Sequence, residues 1–252
     1  MTDKSRERWV LLLGTLCTPE VFSPLLDRLG VARDQCRFIT ADAADVRDYA
    51  APLQAAVTGG EIVCGFSLGA LIAAHNLPVL ARAKAVVLVA ANPFPDPPGN
   101  RANREAVRDR ILAGGARDWV LENWHAMSTD RDPALSTFVA DMAEETAPMI
   151  GAQTELAASR PGAARDIGEC NLPLVFVTGS DDRITPADAL RPLVGKAQHA
   201  DLQVLDGLGH YALIEAPDRV AHAFRQGLRN VLADTNQESG RHDDQDDPFH
   251  AA

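Results

Sequence analysis

The sequence predicts an α/β fold, a mostly parallel, doubly wound sheet of about six strands with a helical insertion. Three observations carry this expectation. Six short apolar runs alternate with helix-like segments along the 252 residues. The runs are apolar nearly throughout, as strands covered on both faces are. The alternation breaks once, from Asn92 to about Asn171, where no strand-like run occurs.

The runs are WVLLL (9–13), CRFI (36–39), EIVC (61–64), AVVLVA (85–90), LPLVFVTG (172–179) and DLQVL (201–205). Strands that alternate with helices pair in parallel and carry helices on both faces of the sheet. Several helix ends are marked. Ser23 and Pro24 read as an N-cap and a first-turn proline, with Gly30 as the stop, and Pro186 and Pro217 open two later helices. In the insertion, the proline-rich NPFPDPPGN leads into REAVRDRIL, ARDWVLENWHAM and LSTFVADMAEE, which carry apolar residues at helical spacing. The chain thus divides into a core of 1–91 and 172–233, an insertion of 92–171, and a tail of 234–252. The tail, DTNQESGRHDDQDDPFHAA, is polar and acidic and predicts disorder.

A chain of this length with 46% hydrophobic residues can bury a full core in one α/β domain plus an insertion. The net charge of -11 argues against nucleic acid as a partner, which demands a basic face. No apolar run reaches the roughly 18 residues of a membrane span. The N-terminal MTDKSRERWVLLLG has too short an apolar stretch for a signal peptide, so a cytoplasmic location is expected. Cysteines 17, 36, 64 and 170 show neither CxxC spacing nor close pairs. Cys36 and Cys64 lie in strand-like runs and are expected to be buried thiols.

The chemistry centres on VCGFSLGAL, Val63 to Leu71, where Ser67 stands between Gly65 and Gly69. A serine on a very sharp strand-to-helix turn needs neighbours without side chains, because the chain folds tightly back past them. A solvent-facing serine in a glycine-rich turn would show the same five residues, so its partners must decide. An activated serine requires a base and a third group that orients the base. In a doubly wound sheet Ser67 would stand at the carboxyl end of the third strand, with partners at the carboxyl ends of later ones. TGSDDRITP offers Asp181 and Asp182, and DGLGHYALIEAP offers His210. Loop position alone leaves both aspartates open.

GFSLG, GSDDRITP and GLGHYALIEAP together resemble the α/β-hydrolase superfamily, and the likeness spans most of residues 9–233. VLLLGTLCTPEVFSPLLDRL is similar to that family's oxyanion loop and the helix after it. The resemblance implies an α/β-hydrolase fold with Ser67 as nucleophile, Asp182 as acid and His210 as base, and with the insertion 92–171 as a helical cap over the substrate. Two features depart from the pattern. Leu13-Gly14 stands where the family often has a His-Gly pair whose histidine supports the loop. Only eight residues precede WVLLL, so the antiparallel strand pair that opens larger members is not expected.

The implied reaction is hydrolysis of a small carboxylic ester, lactone or thioester through an acyl-enzyme. The oxyanion would be held by the backbone N–H groups of Leu68 and Thr15, donors worth about 2.7–4 kcal/mol each. No metal or organic cofactor is called for. The same triad could instead serve elimination or carbon–carbon cleavage, and the same scaffold could serve binding alone. A binding module, however, has no use for the two glycines and all three partners. Phe66, Trp119, Trp124 and His125 are the candidates for lining the substrate pocket, whereas His75, on the helix after Ser67, reads as a core residue.

Overall fold

The computed structural model describes the backbone of residues 7–243 and the side chains of residues 7–233. Its centre is a six-stranded sheet of β1 (Trp9–Leu12), β2 (Cys36–Ile39), β3 (Ile62–Phe66), β4 (Ala85–Val89), β5 (Leu174–Gly179) and β6 (Ala200–Leu205), in the order β2-β1-β3-β4-β5-β6. Every pairing is parallel. Each predicted strand is present within two residues of its expected bounds.

Successive strand side chains point to opposite faces, and this alternation divides the core in two. Trp9 and Leu11 of β1 pack with Phe22, Leu25 and Phe224, on the face covered by α1 (Ser23–Leu29) and α11 (Pro217–Asp243). Val10 and Leu12 pack with Leu53, Leu71 and Leu190, on the face covered by α2 (Ala50–Ala56), α3 (Leu68–His75) and α9 (Ala187–Val194). Each such fully buried side chain stabilises the fold by about 1.5–3 kcal/mol relative to exposure.

The expectation that all six runs are covered on both faces holds for β1, β3, β4 and β5, which are buried throughout. It fails at the edges. β2 and β6 are only partly buried, because an edge strand has a neighbour on one side alone. Cys36 in β2 is accordingly half-buried rather than enclosed, whereas Cys64 in β3 is buried as expected. Ser23 is not an N-cap. A short 3-10 turn, Pro19–Phe22, runs directly into α1, so Ser23 is already helical and Phe22 precedes it. Gly30 ends α1 in the left-handed region at φ 73°, where a glycine carries no Cβ penalty.

After β4 the chain leaves the sheet and builds a helical cap of α4 (Arg101–Arg110), α5 (Ala116–Met127), α6 (Pro133–Thr146), α7 (Ile150–Ser159) and α8 (Ala164–Gly168). α4 and α5 meet across Ile111–Gly115, where Gly114 at φ 92° breaks the helical path. α5 packs on α6, and α4 on α7. α5 buries Ala116, Val120, Trp124 and Met127, the stripe its spacing predicts. The sequence runs had left α7 unassigned. α10 (Ala212–Glu215) and α11 close the chain. Disorder was expected from Asp234, but α11 continues through Asp243, since a helix already nucleated extends at little cost while no proline interrupts it. Residues 244–252 of the expected tail lie outside the described residues.

Candidate active site

Ser67 occupies the single residue between β3 and α3, with φ 52° and ψ −112°. The two flanking glycines are required by close approach. A Cβ at Gly65 would fall 2.5 Å from Ala70 Cα, and one at Gly69 would fall 2.2 Å from the Leu12 carbonyl oxygen. Either would push α3 off the sheet and undo the turn. Ser67 N–H donates to the Val89 carbonyl at 2.9 Å, which ties the turn to β4. Among the described residues, the non-glycine positions with positive φ are Leu16, Ser67 and Ala90, and all three line the same cavity. Such conformations cost on the order of 1–3 kcal/mol each and persist only where the surroundings enforce them.

His210 and Asp182 converge on this serine from two later loops. The Ser67 Oγ lies 2.9 Å from His210 Nε2, and His210 Nδ1 lies 2.9 Å from Asp182 Oδ2. Gly179 at the end of β5 permits the convergence, since a Cβ there would sit 1.9 Å from the Leu208 carbonyl oxygen of the histidine loop. Asp182 is 3% exposed, and its Oδ1 accepts from the N–H groups of Ile184 at 2.8 Å and Thr185 at 2.9 Å. The Thr185 hydroxyl donates to Oδ2. Burial works to raise the Asp182 carboxyl, but the attraction of His210 and the hydrogen bonds outweigh it and hold the group down to about 2. Asp181 is exposed. The geometry therefore selects Asp182 from the two aspartates.

The loop after β1 brings Thr15 and Leu16 to the same cavity. Leu16, at φ 55°, donates its N–H to Oε1 of Gln153 at 3.0 Å. Gln153 lies on α7 of the cap and is 2% exposed. Cys17 Sγ donates to the Thr15 carbonyl at 3.3 Å, and burial pushes its thiol up to about 12, so it stays protonated. Leu13, where a loop-supporting histidine was absent from the sequence, is buried in the core. Leu68 opens α3, and the first N–H groups of a helix have no intrahelical acceptor.

The cap also grips the histidine loop. His210 N–H donates to the Met127 carbonyl at 2.8 Å. Glu215 Oε2 accepts from Gly209 N–H at 3.0 Å and from the Thr129 hydroxyl at 2.9 Å. Sequence reasoning missed Gln153 and Glu215 as contributors. Glu215 stands five residues after His210 in a motif already singled out, which was a usable signal, whereas nothing local marks Gln153.

The cavity is about 220 Å³, and Thr15, Phe66, Ser67, Leu68, Trp119 and His210 are among its walls. Two of the expected pocket residues are elsewhere. Trp124 is buried, with Nε1 donating to the Asp130 carbonyl at 3.0 Å and its ring 5.5 Å from that of Tyr211. His125 is exposed, with Nδ1 3.1 Å from the Glu122 carbonyl oxygen. At about 100° per residue, α5 turns Trp119, Val120 and Met127 to the cavity and carries His125 round to the far side. His75 lies outside the cavity, with Nδ1 donating to the Leu71 carbonyl at 2.8 Å.

A parallel, doubly wound sheet with this polar cluster at the carboxyl ends of its strands has its candidate site where such folds bind their ligands. The chain belongs to the alpha/beta hydrolase family, whose family model matches residues 7–223. It is 26% identical over 246 residues to a pimeloyl-[acyl-carrier protein] methyl ester esterase of Xanthomonas campestris pv. campestris, covering 86% of this chain and 93% of that protein. Among solved structures, a thermophilic esterase from Thermogutta terrifontis superposes with a TM-score of 0.75 at 19% identity, covering 90% of each chain. A bromoperoxidase from Bacillus anthracis gives 0.71 at 14% identity, covering 88% of this chain and 92% of that one. At such identities these two likenesses concern the fold alone. Among the described residues, no helix is long and apolar enough to cross a membrane.

Proposed function

We propose that the protein is a serine hydrolase of small carboxylic esters, working through an acyl-enzyme on Ser67. The observation that carries this reading is the unbroken chain of hydrogen bonds from Ser67 through His210 to Asp182, each 2.9 Å long, on a serine at φ 52°. His210 takes the hydroxyl proton as Ser67 attacks the ester carbonyl, then delivers it to the departing alkoxide. Asp182 accepts from Nδ1–H, which fixes the tautomer with Nε2 free to act as base and stabilises the imidazolium. A water molecule, activated by the same histidine, then cleaves the acyl-enzyme. The oxyanion is held by the N–H groups of Leu68 and Thr15, with the N-terminal end of α3 adding a favourable dipole. The named relative's ester chemistry supports the choice of a carboxylic ester as substrate class.

The test is direct. A fluorophosphonate probe should label the wild type at Ser67, and a panel of esters of rising acyl length should be turned over. Ser67→Ala should fold, resist labelling and lose on the order of 10⁵ in turnover. Labelling at another serine, or ordinary turnover by Ser67→Ala, would refute the assignment.

A further inference from the structure

The cavity wall opposite in character to its apolar lining is a pair of arginines, Arg104 on α4 and Arg160 just past α7. Both come from the cap, and both line the cavity that holds Ser67 and His210. They share one carboxylate. Arg104 grips Asp96 with a two-pronged contact, Nε to Oδ2 at 2.8 Å and Nη2 to Oδ1 at 2.7 Å. Arg160 Nη1 lies 3.2 Å from the same Oδ1 and also donates to the Ala157 carbonyl, while Nε donates to the Phe94 carbonyl at 2.8 Å. The Asp96 and Arg160 side chains are each 3% exposed, and that of Arg104 is 34% exposed. Among the described residues, neither Arg104 Nη1 nor Arg160 Nη2 has a protein acceptor.

A staple that only fastens the cap would be complete with one guanidinium on Asp96. The second leaves an excess positive charge in a partly desolvated wall, an arrangement that is costly unless an anion joins it. Burial pulls Arg160 below its ordinary value; the attraction of Asp96, the next largest effect, opposes this, and the repulsion of Arg104 adds a smaller lowering. Two guanidinium groups on this wall thus share a single carboxylate, Asp96.

We propose that Arg104 and Arg160 form an anion subsite that selects esters bearing a carboxylate at the end remote from the scissile bond, such as half-esters of short dicarboxylic acids. This rests on the ester-hydrolase reading above and names its substrate class. A planar carboxylate matches the fork geometry of a guanidinium. Its single charge balances the excess of two arginines over one aspartate, whereas a phosphomonoester at about −1.5 to −2 overshoots it. Leu71, Val120 and Met127 supply an apolar wall for the methylenes between the two ends. The spacer must bridge Ser67 and the arginine pair within a cavity of about 220 Å³.

The test compares three methyl esters of matched length on the full chain: monomethyl glutarate, methyl valerate, and a methyl ester ending in a phosphate. Wild-type kcat/KM should favour the half-ester over methyl valerate by at least about tenfold, through KM. Arg104→Gln should cut that ratio about tenfold or more, and Arg104→Lys should restore part of it. Arg160→Gln risks misfolding, so Ser67→Ala provides a second measurement: monomethyl glutarate, but not methyl valerate, should raise its Tm, and adding Arg104→Gln should abolish the shift. Equal turnover of half-ester and methyl valerate, unmoved by Arg104→Gln, overturns the subsite and leaves ester hydrolysis standing. Preference for the phosphate-bearing ester overturns the carboxylate assignment. No turnover of any ester, with an Arg104-dependent shift by monomethyl glutarate, sustains the subsite and removes the hydrolase reading instead.

Discussion

The strand-to-helix turn at Ser67 and the cap above it line one cavity, but they tolerate change very differently. The turn is a backbone device. A Cβ at Gly69 would sit 2.2 Å from a main-chain oxygen of β1, so the sequence there is dictated by steric contact. The cap is a side-chain device, with Trp119, Arg104 and Met127 facing the cavity from its helices. The difference separates two kinds of information. On the proposed reading, the core turn sets what can react and the cap sets what can enter.

Substitutions can break or sharpen that division. The largest effect after loss of Ser67 itself should come from Asp182→Asn. It keeps the shape but favours the wrong imidazole tautomer, and turnover of one test ester should drop by about 10⁴. Asp181→Asn, at an exposed carboxylate one residue away, should change turnover less than about threefold. A crippled Asp181→Asn beside an active Asp182→Asn would reverse the assignment.

Gln153 crosses the boundary, since it belongs to the cap yet holds Leu16 N–H of the core loop. Gln153→Ala strips the acceptor from a buried N–H next to the proposed oxyanion donor at Thr15. Turnover should fall about 10- to 100-fold with little change in KM, and Gln153→Glu, which keeps an acceptor oxygen, should recover part of it. A pure KM effect would return Gln153 to the cap's ordinary role of shaping the pocket.

The smallest effect concerns stability against pH. The Asp182 pKa is depressed to about 2 in the folded protein, against about 3.9 in an unfolded chain. Its contribution is therefore fully present above about pH 4 and is lost as pH falls from there towards 2. The stability difference between wild type and Asp182→Asn, from denaturant melts, should shrink by on the order of 2 kcal/mol across that window. A constant difference would mean that His210 and Thr185 do not stabilise the charged carboxylate.

Much of the core was legible because its demands are local. Six apolar runs gave six strands, and Gly65 and Gly69 marked a turn that only glycine allows. What failed was set by distance in space. Cys36 looked like a buried thiol because sequence does not say which strand lies at an edge. Trp124 and His125 looked like pocket residues because helical spacing gives a face but not its direction, and α5 presents Trp119 and Met127 instead. Gln153 was invisible because its partner lies 137 residues earlier in the chain and nothing around the glutamine itself marks it. The choice between Asp181 and Asp182 came from likeness alone, and burial resolves it physically.

One pair of contacts gives the cap a second role. It holds the Leu16 N–H through Gln153 and the His210 N–H through the Met127 carbonyl, one amide in the proposed oxyanion loop and one in the proposed base. A lid fastened at those two amides cannot swing aside as a separate body without also slackening the machinery beneath it. Lifting the cap and disarming the proposed nucleophile then become a single event. The amide protons of Leu16 and His210 are its built-in clock, and their exchange with solvent should time how often the roof breathes.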